Sequence, residues 1–168
     1  MSKSKTYVVS TSQIPSEAAF HFSHPLNPNS DMRLVPLSDQ TGMQRMGVTL
    51  GRIPPGKEGF LPHSQVSQEE FIFILEGEGH LTIDGDVTVV VPGDFAGFPT
   101  DGAVHHLENK GNSDLVYLMG GERTAAEVAR FPTLGKTGFW ADGAMHFVDD
   151  ADVTAYRPED FALRKSDG

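Results

Sequence analysis

A chain of 168 residues, 38% hydrophobic and 21% charged, is the size of one folded domain and long enough to bury roughly two-thirds of the surface its unfolded form exposes. Its 18 glycines and 11 prolines break helix interiors too often for a helical bundle, so the composition favours an all-β protein. With 13 basic against 23 acidic residues the formal charge is -10, which offers no positive field to nucleic acid or to an anionic membrane, and the lack of cysteine excludes disulfides, thiolate metal sites and cysteine nucleophiles.

Residues 1–42 mix short apolar runs, Tyr7 to Val9 and Met32 to Val35, with Pro15, Pro25, Pro28 and Pro36. This predicts an irregular N-terminal arm with two short strands that packs on the rest of the chain. The first twenty residues hold no apolar leader segment, and no run of 18 apolar residues occurs, so a cytoplasmic protein without a membrane partner is expected. Over 43–122 the pattern changes to apolar runs of five to eight residues, cut by turn signals at Pro54-Pro55-Gly56, Gly77-Glu78-Gly79, Asp84-Gly85, Pro92-Gly93 and Gly111-Asn112. Consecutive antiparallel strands joined by tight turns follow from that spacing.

Within this stretch Glu70, Ile72 and Ile74 alternate with Phe71, Phe73 and Leu75, so both faces of the strand are apolar. The Phe71 face is therefore covered by the terminal arm or buried between subunits, and a homodimer is expected. Leu81, Ile83, Val87, Val89 and Val91 alternate around Asp84-Gly85 as a hairpin. Over 123–168 the segment around Ala125, Ala126, Val128 and Ala129 has near-helical spacing and predicts one or two helical turns, followed by an acidic packed segment with a frayed end.

The chemistry lies in two blocks, one around His63-Ser64-Gln65 and Glu70, the other around Pro99, Gly102, His105 and Asn109. His63 and Gln65 are two apart on a strand and share a face, Glu70 reaches that face from the next strand, and His105 adds a second imidazole. Nitrogen and oxygen donors without thiolate suit Fe, Mn, Ni, Zn or Co as a divalent ion. Glu69 and His106 point away from their neighbours Glu70 and His105, and His106 is an acid or base candidate at a barrel mouth. His21, His24, His80 and His146 have no sequence partners and read as surface residues, while Phe60, Phe95, Phe98 and Tyr117 are candidate pocket walls. The glycines at 77, 79, 93 and 102 read as turn residues rather than a phosphate loop.

In these blocks the sequence resembles the cupin superfamily, and in particular its short bacterial single-domain members. The first cupin motif is matched by His63, Gln65, Glu70 and Gly77, with three residues between Gly59 and His63, or six between Gly56 and His63, where the motif has five. The second is matched by Gly93, Pro99, Gly102, His105 and Asn109, with one extra residue between Pro99 and Gly102. The resemblance implies a double-stranded β-helix, the jelly-roll cupin barrel, flanked by N- and C-terminal arms. It also implies that His63, Glu70 and His105 ligate a divalent metal ion. Gln65 stands where the family usually has histidine. As a neutral oxygen donor it has three roles open to it: to coordinate, to bond a metal-bound water, or to stand aside. Two functions follow as expectations. One is a metal-dependent enzyme acting on a small organic molecule, of dioxygenase, decarboxylase, isomerase or lyase type. The other is a non-catalytic barrel that binds a small-molecule ligand with its metal structural or absent.

Overall fold

Two hairpins show how the local sequence sets the fold in the computed structural model, which describes residues 6–161. Asp84 and Gly85 both take positive φ, at 49° and 95°, and so do Asp142 and Gly143, at 53° and 75°. This is the backbone of a two-residue turn whose twist matches the strands it joins. The first turn links the strands Gly79–Ile83 and Asp86–Val90 and the second links Lys136–Ala141 and Ala144–Asp149, in a chain whose strands run in order as follows. The arm gives β1 (Phe20–Phe22), β2 (Met32–Pro36) and the one-turn helix α1 (Leu37–Thr41). Then come β3 (Met46–Ile53), β4 (Ser64–Gln65), β5 (Glu70–Glu76), β6 (Gly79–Ile83), β7 (Asp86–Val90), β8 (Phe95–Phe98), β9 (His105–Glu108) and β10 (Leu115–Glu122). The last are β11 (Val128–Phe131), β12 (Lys136–Ala141) and β13 (Ala144–Asp149).

These strands form antiparallel sheets in the orders β1-β2-β3-β10-β5-β8, β7-β6-β9 and β13-β12-β11-β4. A bridge between His63 and His105 joins the third sheet to the second, so β4 continues the small sheet beyond β9. The fold is all-β, a jelly-roll double-stranded β-helix. Its core lies between the six-stranded sheet and the β7-β6-β9 layer, where Met32, Ile53, Ile72, Leu81, Leu107 and Leu115 pack together. Burying such side chains contributes about 1.5–3 kcal/mol each. The arm is part of this core through Met32 and Leu34 of β2.

Registers in the large sheet set out rows of inward side chains. Leu115 lies opposite Ile53, Tyr117 opposite Gly51 and Ile74, Met119 opposite Thr49 and Ile72, and Gly121 opposite Gly47 and Glu70. At Gly51 a β-carbon would sit 2.6 Å from the Tyr117 ring, so this position must stay glycine for the ring to turn inward. The last row holds two glycines beside Glu70, which leaves the barrel open there.

The C-terminal segment differs from the sequence expectation. Instead of helical turns, Val128–Phe131 forms β11, paired with β12 on one side and β4 on the other, followed by a single 3-10 turn at Pro132–Leu134. A ten-residue helix gains little from propensity alone, whereas the strand buries Ala129 and Phe131 against Leu61. The frayed end expected beyond Tyr156 falls partly on residues 162–168, outside the described residues. Among the described residues no helix is long and apolar enough to cross a membrane.

Among the described residues, only one half of the outer face of the large sheet is covered. Thr11, Ile14, Pro15 and Ala19 of the arm lie over Arg33, Val35, Leu50 and Arg52 of β2 and β3. On the other half Phe95 remains 67% exposed and stacks on Phe71, with Leu75 also exposed.

Candidate metal centre

The site begins with a backbone pairing. His63 N–H donates to His105 O at 3.2 Å, and His105 N–H donates back to His63 O at 2.8 Å. A pair that exchanges both bonds sets its two side chains next to each other on one face. The ring centroids lie 4.5 Å apart, and both residues are buried. Glu70 enters from the first position of β5, where its Oε2 stands 3.6 Å from Nε2 of His63 and 3.6 Å from Nε2 of His105.

Local contacts fix each ring. Nδ1 of His63 bonds Leu61 O at 2.7 Å, and Nδ1 of His105 bonds Ala103 O at 3.3 Å. A carbonyl only accepts, so Nδ1 of each ring donates and Nε2 is the atom turned toward Glu70. Phe98 stacks on His105 at 3.6 Å and 8°, and Phe131 from β11 stacks on His63 at 6.0 Å. The ligand-type atoms of His63, Glu70 and His105 all lie within 4.8 Å of one another.

The electrostatics of the trio follow from burial. Desolvation, and then the charge of His63, push the His105 pKa down to about 4 against a smaller opposing effect of Glu70, so this ring is neutral at neutral pH. For Glu70 burial favours the protonated form, but His63, His105 and the Gln65 amide outweigh it and hold the carboxyl below its ordinary range. Glu70 Oε2 is buried and has no hydrogen-bond donor. One proton shared with His63 would still leave His105 Nε2 facing the same oxygen, acceptor against acceptor. A cation among the three satisfies them all, so the donor set fits a divalent ion.

The structure brings all four sequence-selected residues together. Gln65 donates its amide Nε2 to Glu70 Oε1 at 3.4 Å, which turns the other carboxylate oxygen toward the histidines, while its own Oε1 is buried without a partner. Asn109, the last residue of the second motif, has a structural task. Its Nδ2 donates to Ile53 O and Ser113 O, both at 2.8 Å, and its Oδ1 accepts from Gly111 N–H, which ties off the turn between β9 and β10.

The trio opens on a cavity of about 260 Å³ whose walls include Phe60, Ile72, Phe98, Tyr117 and Met119. Tyr117 is fully buried there, its hydroxyl donating only to Met32 Sδ at 3.3 Å, and burial raises its pKa. An adjoining hollow of about 440 Å³ lies across the rim residues Glu69, Glu122 and Phe95. Of the aromatics expected to line the pocket, Phe60, Phe98 and Tyr117 do so, whereas Phe95 lies outside the main cavity. His106 points away from the trio, with Nε2 3.4 Å from Glu58 Oε2 but poorly aligned for a hydrogen bond. Desolvation lowers its pKa more than Glu58 and Glu108 raise it.

His21 and His146 are exposed, as expected of surface residues, while His24 departs from that reading. It is half-buried against Phe22, Phe131 and Phe147, and burial followed by the charge of His63 lowers its pKa.

The residue that sequence reading missed is Glu127. It is buried, and its Oε1 accepts from the N–H groups of Val66 at 3.1 Å and Ser67 at 3.3 Å while Oε2 accepts from the Ser67 hydroxyl at 2.8 Å and the Thr124 hydroxyl at 3.3 Å. It thereby clamps the loop that runs from Gln65 to Glu70. An isolated glutamate in an alanine-rich segment carries no motif, so nothing in the sequence marked it.

Comparison with known proteins adds to this geometry. The Cupin domain family profile matches residues 49–121. No curated protein matches the chain. Among solved structures, a protein from Acidithiobacillus ferrooxidans provisionally named a sugar phosphate isomerase is 34% identical, with a TM-score of 0.83 over 90% of this chain and 97% of its own. A sugar phosphate isomerase from the cupin superfamily of Silicibacter pomeroyi is 24% identical, with a TM-score of 0.74 over 86% and 96%. A predicted oxalate decarboxylase from Thermotoga maritima is 24% identical, with a TM-score of 0.57 over 70% and 99%. The last two show likeness of fold.

Proposed function

The chain belongs to the cupin superfamily, and from that premise we propose that it is a metal-dependent enzyme acting on a small organic molecule, with a divalent ion (Fe, Mn, Ni or Zn) held by His63, Glu70 and His105 and with Gln65 beside them. One observation carries the reading: Nε2 of His63 and Nε2 of His105 each stand 3.6 Å from the same Glu70 Oε2, a buried oxygen without a hydrogen-bond partner. When bound there, the ion supplies Lewis-acid polarisation of a ligand oxygen. The chain's own part is to hold the ligand set and shed water. The Nδ1 bonds to Leu61 O and Ala103 O keep both rings presented, Gln65 orients the carboxylate, and Phe60, Phe98 and Met119 surround the ligand with apolar wall. The likeness to the Acidithiobacillus ferrooxidans protein makes isomerisation the first reaction to assay, with decarboxylation next.

A second reading, a non-catalytic binding barrel, is favoured by Gln65. A neutral amide already engaged by Glu70 is a weaker donor than the imidazole usual in the family. Titration calorimetry of untagged, chelator-stripped protein with Mn(II), Zn(II), Ni(II) and anaerobic Fe(II), followed by turnover assays of the loaded forms, separates the two. A one-to-one site with turnover supports the enzyme. A metal-filled protein inert towards every isomerase and decarboxylase substrate tested favours the binding barrel.

The proposal extends to a homodimer. Among the described residues the arm covers only the β2–β3 half of the outer face of the six-stranded sheet, leaving Phe95 and Leu75 exposed as an apolar surface. A second copy of the chain offers the same surface in a self-complementary arrangement.

A further inference from the structure

Resting on the metal-site reading, we infer that the ligand of this cavity is a monoanionic oxygen chelator with an apolar body, such as an aryl 2-oxo acid, and that it carries no phosphate group. Charge is the first ground. Among the described residues that line the cavity and its adjoining hollow there is no lysine or arginine, while Glu69, Glu70 and Glu122 all lie there. Arg123, next in the chain to the rim residue Glu122, has its guanidinium committed to Asp39, to the Ser38 hydroxyl and to Met43 O. Arg130 is paired with Asp101. Sites that bind phosphate use an arginine fork, a lysine or the N-terminus of a helix, and α1, with five residues, is too short to serve.

The charge balance gives the sign of the ligand. At the ion itself the divalent charge and the Glu70 carboxylate leave one net positive charge, with the Glu122 carboxylate farther along the cavity wall. A monoanion neutralises it, whereas a phosphate dianion adds uncompensated negative charge next to Glu122 and Glu69, in a chain whose formal net charge is already -10.

Wall chemistry is the second ground. Beyond the proposed ligands the polar side chains that line the cavity are Thr49, Gln68, His106 and Glu122, while the Tyr117 hydroxyl is turned to Met32 Sδ. A polyhydroxylated sugar would bury several hydroxyl groups against Phe60, Ile72, Phe98 and Met119 without partners, and each unpaired group weakens binding. An aryl or alkyl body fits those walls, and two oxygens at its head reach the ion.

The test is titration calorimetry of the Zn(II)-loaded and the chelator-stripped protein with two probes, phenylpyruvate and glucose 6-phosphate. The expected result is metal-dependent binding of phenylpyruvate at least about tenfold tighter than that of glucose 6-phosphate, the preference that like-charge repulsion predicts. Glu122→Lys, checked for unchanged Zn(II) affinity, should then strengthen glucose 6-phosphate binding. Equal or tighter binding of glucose 6-phosphate by the wild type, no detectable phenylpyruvate binding, or a Glu122→Lys variant with unchanged phosphate affinity overturns the inference. Zn(II) uptake is read separately: its absence overturns the functional reading together with the inference, while intact uptake with a preference for phosphate overturns the inference alone.

Discussion

Replacing Glu127 with alanine deletes a buried carboxylate that accepts four hydrogen bonds, two of them from the backbone N–H groups of Val66 and Ser67. The Val66 N–H keeps its bond to Val128 O at 2.9 Å, so the Ser67 N–H is the backbone donor left unpaired in a partly buried loop, at a cost of about 1–3 kcal/mol. With the weakened hydroxyl bonds included, Glu127→Ala should destabilise the fold by about 2–4 kcal/mol, since the Ser67 and Thr124 hydroxyls keep Ala126 O as a second acceptor. Glu127→Gln keeps one acceptor oxygen and should cost about half as much. Because the clamped loop carries Gln65 at one end and Glu70 at the other, metal affinity should fall about tenfold or more in the alanine variant and recover in the glutamine variant. Urea unfolding of the metal-free proteins gives the first quantity and calorimetric titration with Zn(II) the second. An alanine variant within about 0.5 kcal/mol of wild type, the ordinary scatter of surface substitutions, with unaltered Zn(II) affinity would refute the clamp.

Three further outcomes follow from the structure. In the metal-free protein His105 refuses a proton down to about pH 4, whereas the unfolded chain takes one up near 6.5. Protons therefore favour the unfolded state between those values, and urea stability should fall by up to about 1.4 kcal/mol per pH unit as pH drops through that window; a midpoint that does not fall between pH 7.5 and 5.5 would contradict this. Phe95→Glu places a charge on the most exposed aromatic of the bare sheet face, and analytical ultracentrifugation should show wild-type dimer and a folded variant monomer, with a melting temperature that depends on concentration in the wild type only. A wild type that is monomeric at micromolar concentration removes the basis for the dimer. Gly51→Ala pushes a methyl group to 2.6 Å from the Tyr117 ring, so it should lower stability by about 1–3 kcal/mol and disturb the cavity floor, read by unfolding and by tyrosine fluorescence; a neutral substitution would show that the ring has room to move.

Sequence alone disclosed the site better than the flanks. The alternation of His63 with Gln65, the Glu70 that opens an apolar run, and His105 at the start of another are patterns that strand geometry converts directly into one face, and the structure places them around a single point. The Asp84-Gly85 turn was equally legible, since that pair specifies a hairpin by its own backbone preference. Asp142-Gly143 carries the same signal, but the residues around it alternate poorly because Phe139, Trp140 and Met145 all remain exposed. The segment before it misled for a physical reason: Ala125, Ala126 and Ala129 favour helix locally, while pairing of Val128–Phe131 with two neighbouring strands decides the outcome non-locally. Glu127 and the glycine row at Gly47 and Gly121 gain meaning only from partners far along the chain.

The central claim is that His63, Glu70 and His105 hold a metal ion, and elemental analysis of untagged protein, compared with His105→Ala and Gln65→His, tests it most directly. A near-stoichiometric divalent metal is expected in the wild type, with its loss in His105→Ala and its retention in Gln65→His. A wild type that carries no metal and takes none up, while Gln65→His does, would contradict it.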